Sequence, residues 1–160
     1  MRLSYDHGIN YNIINFGEYK YIVTSSPNAS NISYYKDLFL KLGVTILIRL
    51  CDKKYDEAEF INIGINFVDL TIVDGSVPDK IMLDKWTNSI KNHKIIAVHC
   101  VAGLGRGPLF VCVCLIKFNY LNNLDAIELV RKNIPGSLNT KQLIFLQQLK
   151  FKKPFLWFNR

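Results

Sequence analysis

Between Ile95 and Phe110 the chain reads IIAVHCVAGLGRGPLF, which gathers His99, Cys100 and Arg106 inside an otherwise apolar run. Five residues, Val101, Ala102, Gly103, Leu104 and Gly105, separate the thiol from the guanidinium. Glycines at 103, 105 and 107 let the backbone curl so that successive N–H groups converge. A helix beginning at GPLF brings the positive end of its dipole to the same point. Pro108 suits the first turn of that helix. Such a segment forms a cup for a dianionic tetrahedral group, closed by a two-pronged grip of Arg106 on two of its oxygens. The same positive surroundings favour thiolate over thiol, which makes Cys100 a nucleophile at neutral pH. His99 is expected beneath the loop, hydrogen-bonding the backbone and holding its shape. His-Cys followed by Arg at this offset is expected about 0.002 times in a chain of this composition, so chance accounts for it poorly. GLGRGP does not fit the dinucleotide fingerprint, because proline stands where the last glycine belongs.

The elements around this stretch must place it. YNIINF and YKYIVTSS read as strands joined by a turn at Gly17. NASNISYYKDLFLKLG reads as a helix capped by Ser30 or Asn31 and ended by Gly43. VTILIRLC is a β-branched apolar run, hence a buried strand. YDEAEFINIG reads as a short helix, INFVDLTIV as a strand, and DGSVPDK as a loop. DKIMLDKWTNSIKN is an amphipathic helix, and KIIAVHC another buried strand, with Cys100 at its end. The helices GPLFVCVCLIKFNYL, LDAIELVRKN and NTKQLIFLQQLKF follow. Strands alternating with helices predict an α/β fold with a largely parallel central sheet. Sites in such folds lie at the carboxyl ends of strands, where this loop falls.

The chain has 160 residues, 49% hydrophobic and 21% charged, which suits one globular domain over residues 1–160. MRLSYDHGIN lacks the apolar core of a secretory signal. PLFVCVCLI is too short to cross a bilayer. The expectation is a cytoplasmic protein whose cysteines, Cys51, Cys100, Cys112 and Cys114, stay reduced. They form no C-x-x-C pair and no Cys/His cluster, so no metal site is expected, and nothing calls for a cofactor. A net charge of +7 favours anionic partners: phosphates, nucleic acid or an acidic membrane face. Surface charge serving solubility alone is the plain alternative.

H-C-x5-R is the phosphate loop of cysteine-dependent protein tyrosine phosphatases. The wording VHCVAGLGRGP resembles the phosphatase-of-regenerating-liver family, protein tyrosine phosphatase type IVA, more closely than other dual-specificity phosphatases. YIVTSSPNAS, GVTILIRLCDKKYD, VDLTIVDG and GSLNTKQLIFL fall in matching order, so the resemblance runs from about Tyr11 to the C-terminal segment. It implies the tyrosine-phosphatase fold and a phosphocysteine intermediate on Cys100. It also implies phosphoprotein substrates carrying phosphotyrosine, with phosphoserine or phosphothreonine as further candidates. It places a general acid at Asp74, the aspartate before Gly75. Asp79 is the nearby alternative, and by itself an Asp-Gly pair is most often a turn. It further implies that Cys51 forms a reversible disulfide with Cys100, shielding the nucleophile from irreversible oxidation. On its own residues Cys51 reads as a small buried group at a strand end, and Cys112 and Cys114 as core filling.

The chain departs from the family in three places. Most tyrosine phosphatases carry Ser or Thr directly after the Arg, where its hydroxyl stabilises the departing thiolate. Here that residue is Gly107, where the resembled family has alanine, and hydrolysis of phosphocysteine is expected to be slow. Leu70 and Val73 replace the aromatic and second acidic residue ahead of the acid. The chain ends LKFKKPFLWFNR without the family's prenylated cysteine, leaving a basic, aromatic stretch for weak contact with an acidic membrane. The resemblance also implies a binding role, in which an acidic side chain of a CBS-pair magnesium transporter enters the cup. Action on an RNA 5′ end or a phosphoinositide is a further reading. It ranks last because the loop has no lysine for a highly charged inositol phosphate, and no specific nucleic-acid partner is expected.

Overall fold

The computed structural model describes residues 9–152. Five strands form one sheet: β1 (Tyr11–Phe16), β2 (Tyr19–Thr24), β3 (Ile46–Arg49), β4 (Asn66–Asp69) and β5 (Ile95–His99). Their order is β1-β2-β5-β3-β4; β1 runs antiparallel to β2, and every other pairing is parallel. The expected α/β architecture is present, with β5, which leads into Cys100, in the middle of the sheet.

The two-residue period of the strands divides the core. Tyr21 and Val23, Ile46 and Ile48, and Ile96 and Val98 face one side, while Ile22, Leu47 and Ala97 face the other. On the second side the sheet is covered by α1 (Ile32–Leu42) and α2 (Ala58–Ile61), through Tyr35, Phe39 and Phe60. The first side packs on α3 (Lys80–Ser89), α4 (Arg106–Phe118), α5 (Asn123–Asn133) and α6 (Thr140–Gln148). Both faces are buried, which is why β3 and β5 are continuous apolar runs rather than alternating ones.

Helix α4 lies within this layer. Every residue from Arg106 to Leu115 is buried, and Trp86 of α3 packs on Phe110 at 5.3 Å between ring centroids. Cys112 and Cys114 lie in this core, as expected, and burial pushes both thiols well up.

Several boundaries differ from expectation. β4 ends at Asp69, so Leu70–Val73 leave the sheet and form a loop. Helix α4 starts at Arg106 rather than at Gly107, which puts the guanidinium on the first turn. Asn31 occupies the N-cap position of α1, but its side chain caps nothing. Its Oδ1 instead accepts from the Asn28 N–H at 2.8 Å, and the Asn28 Oδ1 accepts from Ser30. Local turn chemistry outcompetes the cap there. The C-cap is as expected: Gly43 adopts φ +76°.

Candidate active site

Cys100 follows β5 directly, and α4 begins six residues later, so loop 101–105 is strung between a central strand and a buried helix. Two of its carbonyls are tied to other segments: Val101 O accepts from Ser26 N–H and Leu104 O from Leu138 N–H. Among the described residues, the N–H groups of Val101 to Gly105 donate to no protein acceptor. No side chain caps the N-terminus of α4. A row of unspent donors at a helix N-terminus, beside a buried sulfur, is an anion site by construction.

Two glycines are required here, Gly103 by conformation and Gly107 by contact. Gly103 has φ +75°, and a Cβ there would lie 3.4 Å from Thr24 O. At Gly107 a Cβ would lie 3.7 Å from Cys100 Sγ but only 2.9 Å from Val23 Cγ1. The β2 side chain of Val23 thus fills the space that a residue after the Arg would use.

Arg106 is buried. Its Nη1 donates to Leu50 O at 3.2 Å and Ile72 O at 3.1 Å. Its Nε has no hydrogen-bond acceptor among the described residues and lies 3.6 Å from Asp74 Oδ1. Asp74 itself is 86% exposed in its side chain. The alternative, Asp79, is committed to the fold, since its Oδ1 accepts from Met82 N–H and caps α3. The structure therefore brings Asp74, rather than Asp79, to Arg106.

Loop 70–76 is held carbonyl by carbonyl. Leu70 O accepts from Trp86 Nε1, Ile72 O from Arg106, Gly75 O from Asn139 Nδ2 and Ser76 O from Gln142 Nε2. Thr71 Oγ1 donates to Asp69 Oδ1 at 2.8 Å and lies 3.0 Å from Cys51 O.

His99 is fully buried beneath Cys100. Burial pushes it down to about 3, against a hydrogen bond with the Cys100 backbone that acts the other way. It is therefore neutral at pH 7. Its Nε2 lies 2.5 Å from Tyr55 Oη, and its Nδ1 lies 3.6 Å from Cys51 Sγ. Burial raises both the Tyr55 phenol and the Cys51 thiol, so both keep their protons. Behind them Arg49, also buried, donates through Nη2 to Asp69 Oδ2 at 2.5 Å and stacks on Phe67 at 4.9 Å. Burial would push Asp69 up, but the bonds from Arg49 and Thr71 outweigh it and hold it below the usual carboxylate range. All four cysteines are free, and no metal-binding cluster occurs among the described residues.

Tyr55, Arg49, Asn139 and Gln142 were not singled out from the sequence. Arg49 alone carried a signal there, as a charge inside the strand run VTILIRLC. Gln142 is buried and polar, but its position in NTKQLIFL is ordinary for a helix start.

A strand–loop–helix anion cup with a cysteine at its base defines a cysteine-dependent phosphatase. The fold agrees: a protein tyrosine phosphatase from Leishmania major superposes with a TM-score of 0.81, covering 89% of this chain and 99% of that one at 27% identity. Protein tyrosine phosphatase type IVA 2 of Mus musculus is 33% identical over 145 residues, 87% of this chain and 86% of the relative. Type IVA 3 of Homo sapiens is 31% identical over 153 residues, 88% of each. The chain belongs to the protein tyrosine phosphatase type IVA family. It is a cysteine-dependent protein tyrosine phosphatase, and its substrates are phosphoproteins. No family model matches the chain.

Proposed function

We propose that Cys100 is the nucleophile, that Val101–Gly105 and Arg106 bind the phosphoryl group, and that Asp74 is the general acid. In the first step the Cys100 thiolate attacks phosphorus, the bond from phosphorus to the substrate oxygen breaks, and Asp74 gives its proton to that oxygen. In the second step water attacks phosphorus and the P–S bond breaks, returning thiolate and inorganic phosphate. The observation that carries this reading is the set of unspent donors around Cys100: the loop amides and the buried Arg106 Nε. A buried donor without an acceptor, as Arg106 Nε is, is costly unless a ligand supplies the acceptor. His99 holds the loop from below as a neutral group.

The second step is the slow one. Gly107 offers no hydroxyl to the departing sulfur, and the neighbouring Val23 methyl is apolar. A long-lived phosphocysteine also fills the cup, so it excludes the acidic side chain of a CBS-pair transporter. Catalysis and that binding mode then become alternatives on one site. Cys51, protonated and adjacent to His99, is the reserve thiol that closes on an oxidised Cys100. The compartment that fits four free cysteines is the reducing cytoplasm. No helix among the described residues is long and apolar enough to cross a membrane. A weak membrane contact would fall to the basic stretch at residues 149–160, of which 153–160 lie outside the described residues.

Rapid mixing of the reduced protein with phenyl phosphate, following phenol release and intact mass together, tests this reading. A phenol burst with a phospho-adduct that Cys100→Ser abolishes is the expected result. Steady turnover without an adduct overturns slow hydrolysis. Absence of burst, adduct and turnover overturns the catalytic assignment and leaves the cup as a binding site.

A further inference from the structure

Helix α6 takes no part in the chemistry described so far, yet its first turn is tied to the segment that carries Asp74. Asn139 is its N-cap. The Asn139 Oδ1 accepts from Gln142 N–H at 2.8 Å, and the Gln142 Oε1 accepts from Asn139 N–H at 3.0 Å. This reciprocal pair is a capping box. A capping box needs only the two side-chain oxygens, and Ser or Thr with Glu makes it equally well. Here both members are amides, and each has an NH2 group to spare.

Both spare groups are used on loop 70–76. The Asn139 Nδ2 donates to Gly75 O at 3.0 Å, and the Gln142 Nε2 donates to Ser76 O at 3.4 Å. Gln142 is fully buried. Its Nε2 also lies 3.4 Å from where a Gly105 Cβ would be, so it faces the Cys100 loop as well. Gly75 has φ +72°, and a Cβ there would meet Asn139 Nδ2 at 3.4 Å.

The Asp74 side chain is almost wholly exposed. Apart from the 3.6 Å approach to Arg106 Nε nothing holds it, so the main chain on either side must place it. On the N-terminal side Arg106 holds Ile72 O. Within the turn, Val73 O accepts from Ser76 N–H and Oγ. On the C-terminal side the bonds to the body of the protein come from Asn139 and Gln142.

We infer that the Asn139–Gln142 pair is a clasp that positions Asp74 over the cup, with Asn139 a positioning residue for proton delivery. This rests on Asp74 being the general acid. The clasp makes α6 a part of the acid machinery through main-chain carbonyls alone, touching neither substrate nor sulfur.

Capping and clasping separate cleanly at Asn139. Asn139→Asp and Asn139→Ser keep an oxygen that caps as well as asparagine does, and neither has a nitrogen to give Gly75. The serine variant adds no charge near Asp74. The readout is the burst rate of phosphocysteine formation with phenyl phosphate, whose leaving group needs a proton, and with dinitrophenyl phosphate, whose leaving group does not. Thermal unfolding is recorded alongside, with Asp74→Asn as the reference. Both Asn139 variants are expected to lose about ten- to hundredfold on phenyl phosphate, the size of a misplaced catalytic group, and less than about twofold on dinitrophenyl phosphate. An unchanged burst rate on phenyl phosphate overturns the clasp, as does an equal loss on both substrates that tracks a lowered unfolding midpoint. If Asp74→Asn itself shows no dependence on leaving group, the assignment of the acid fails first and the clasp falls with it. If Asp74→Asn shows the dependence and the Asn139 variants do not, only the clasp fails.

Discussion

Two loops meet at Arg106, and they are built in opposite ways. Loop 101–105 has its Val101 and Leu104 carbonyls engaged and its amides unspent. Loop 70–76 has the carbonyls of Leu70, Ile72, Val73, Gly75 and Ser76 all accepting hydrogen bonds. The first loop keeps donors for an incoming anion and draws its shape from glycine, strand and helix. The second loop binds nothing through its backbone, so its backbone can be fixed completely, leaving one exposed carboxylate at the tip. A loop that recognises a ligand must stay unsatisfied, and a loop that presents a side chain must not. Arg106 belongs to both, with Nη1 on one loop's carbonyl and Nε without a hydrogen-bond acceptor among the described residues.

Arg106→Lys should therefore do the greatest damage, because it loosens both loops at once. Lysine keeps the charge but loses the fork that reaches Leu50 O and Ile72 O while facing the cup. A fall of about a thousandfold in burst rate is expected from stopped-flow measurement. A loss of less than about tenfold would mean that the guanidinium is not shared between the loops.

Gly103→Ala should break only the first loop. Its φ of +75° opposes a side chain, whereas the 3.4 Å from a Cβ to Thr24 O is ordinary contact. A cost of about 1–2 kcal/mol is expected in denaturant unfolding, with weakened binding of inorganic phosphate or vanadate. Full stability together with full anion affinity would show that the curl does not depend on glycine.

The third prediction sharpens the account of slow hydrolysis. Gly107→Ser alone must push Val23 aside, since the new Cβ would lie 2.9 Å from its methyl. That substitution should lower the unfolding midpoint without a clear gain in turnover. In a Val23→Ala background the same serine has room to reach Cys100 Sγ. Steady-state turnover should then rise about tenfold, one hydrogen bond to a charged group, with the burst rate unchanged. No rise in the double variant would remove the missing hydroxyl as the cause of slow hydrolysis.

The most gradual effect, spread over several pH units, comes from beneath the first loop. His99 has a folded value pushed down to about 3 from 6.5. Below pH 6.5 the unfolded chain takes up a proton there that the folded chain refuses, so stability falls as the pH drops through this window. The limit is about 1.4 kcal/mol per pH unit. Comparing unfolding at pH 7, 6 and 5 in wild type and His99→Asn measures it. An equal slope in both would assign the acid sensitivity to other groups.

The first loop was legible in the sequence because everything that shapes it is local. Cys100, three glycines, Arg106 and the start of a helix occupy one continuous run. The second loop was legible only as an aspartate before a glycine, with Asp79 as a rival. What separates the two aspartates is tertiary: Asp79 is spent on capping α3, while Asp74 meets a guanidinium 32 positions away in the chain. The tethers of that loop come from Trp86, Asn139 and Gln142, on two different helices, and no spacing rule links them to it. The contact of Val23 with Gly107 was equally hidden, since it joins β2 to α4. Element types were recovered along the chain, but β4 was read too long because Leu70 and Ile72 continue its apolar pattern after the pairing stops. Those residues bury against α3 and α4 rather than in the sheet.

The burial of α4 from Arg106 to Leu115 has a dynamic consequence. From Leu109, the first bonded amide, onward, a helix with no solvent-facing residue has no local route by which its amides can open to water. Their hydrogen exchange should proceed only through global unfolding and rank among the slowest in the chain. The amides of Val101–Gly105 have no internal partner and should exchange within the dead time of the experiment. The boundary between protected and unprotected backbone then falls at Pro108, which has no N–H, with Leu109 the first bonded amide, so a bound anion should register as slowed exchange on its N-terminal side alone.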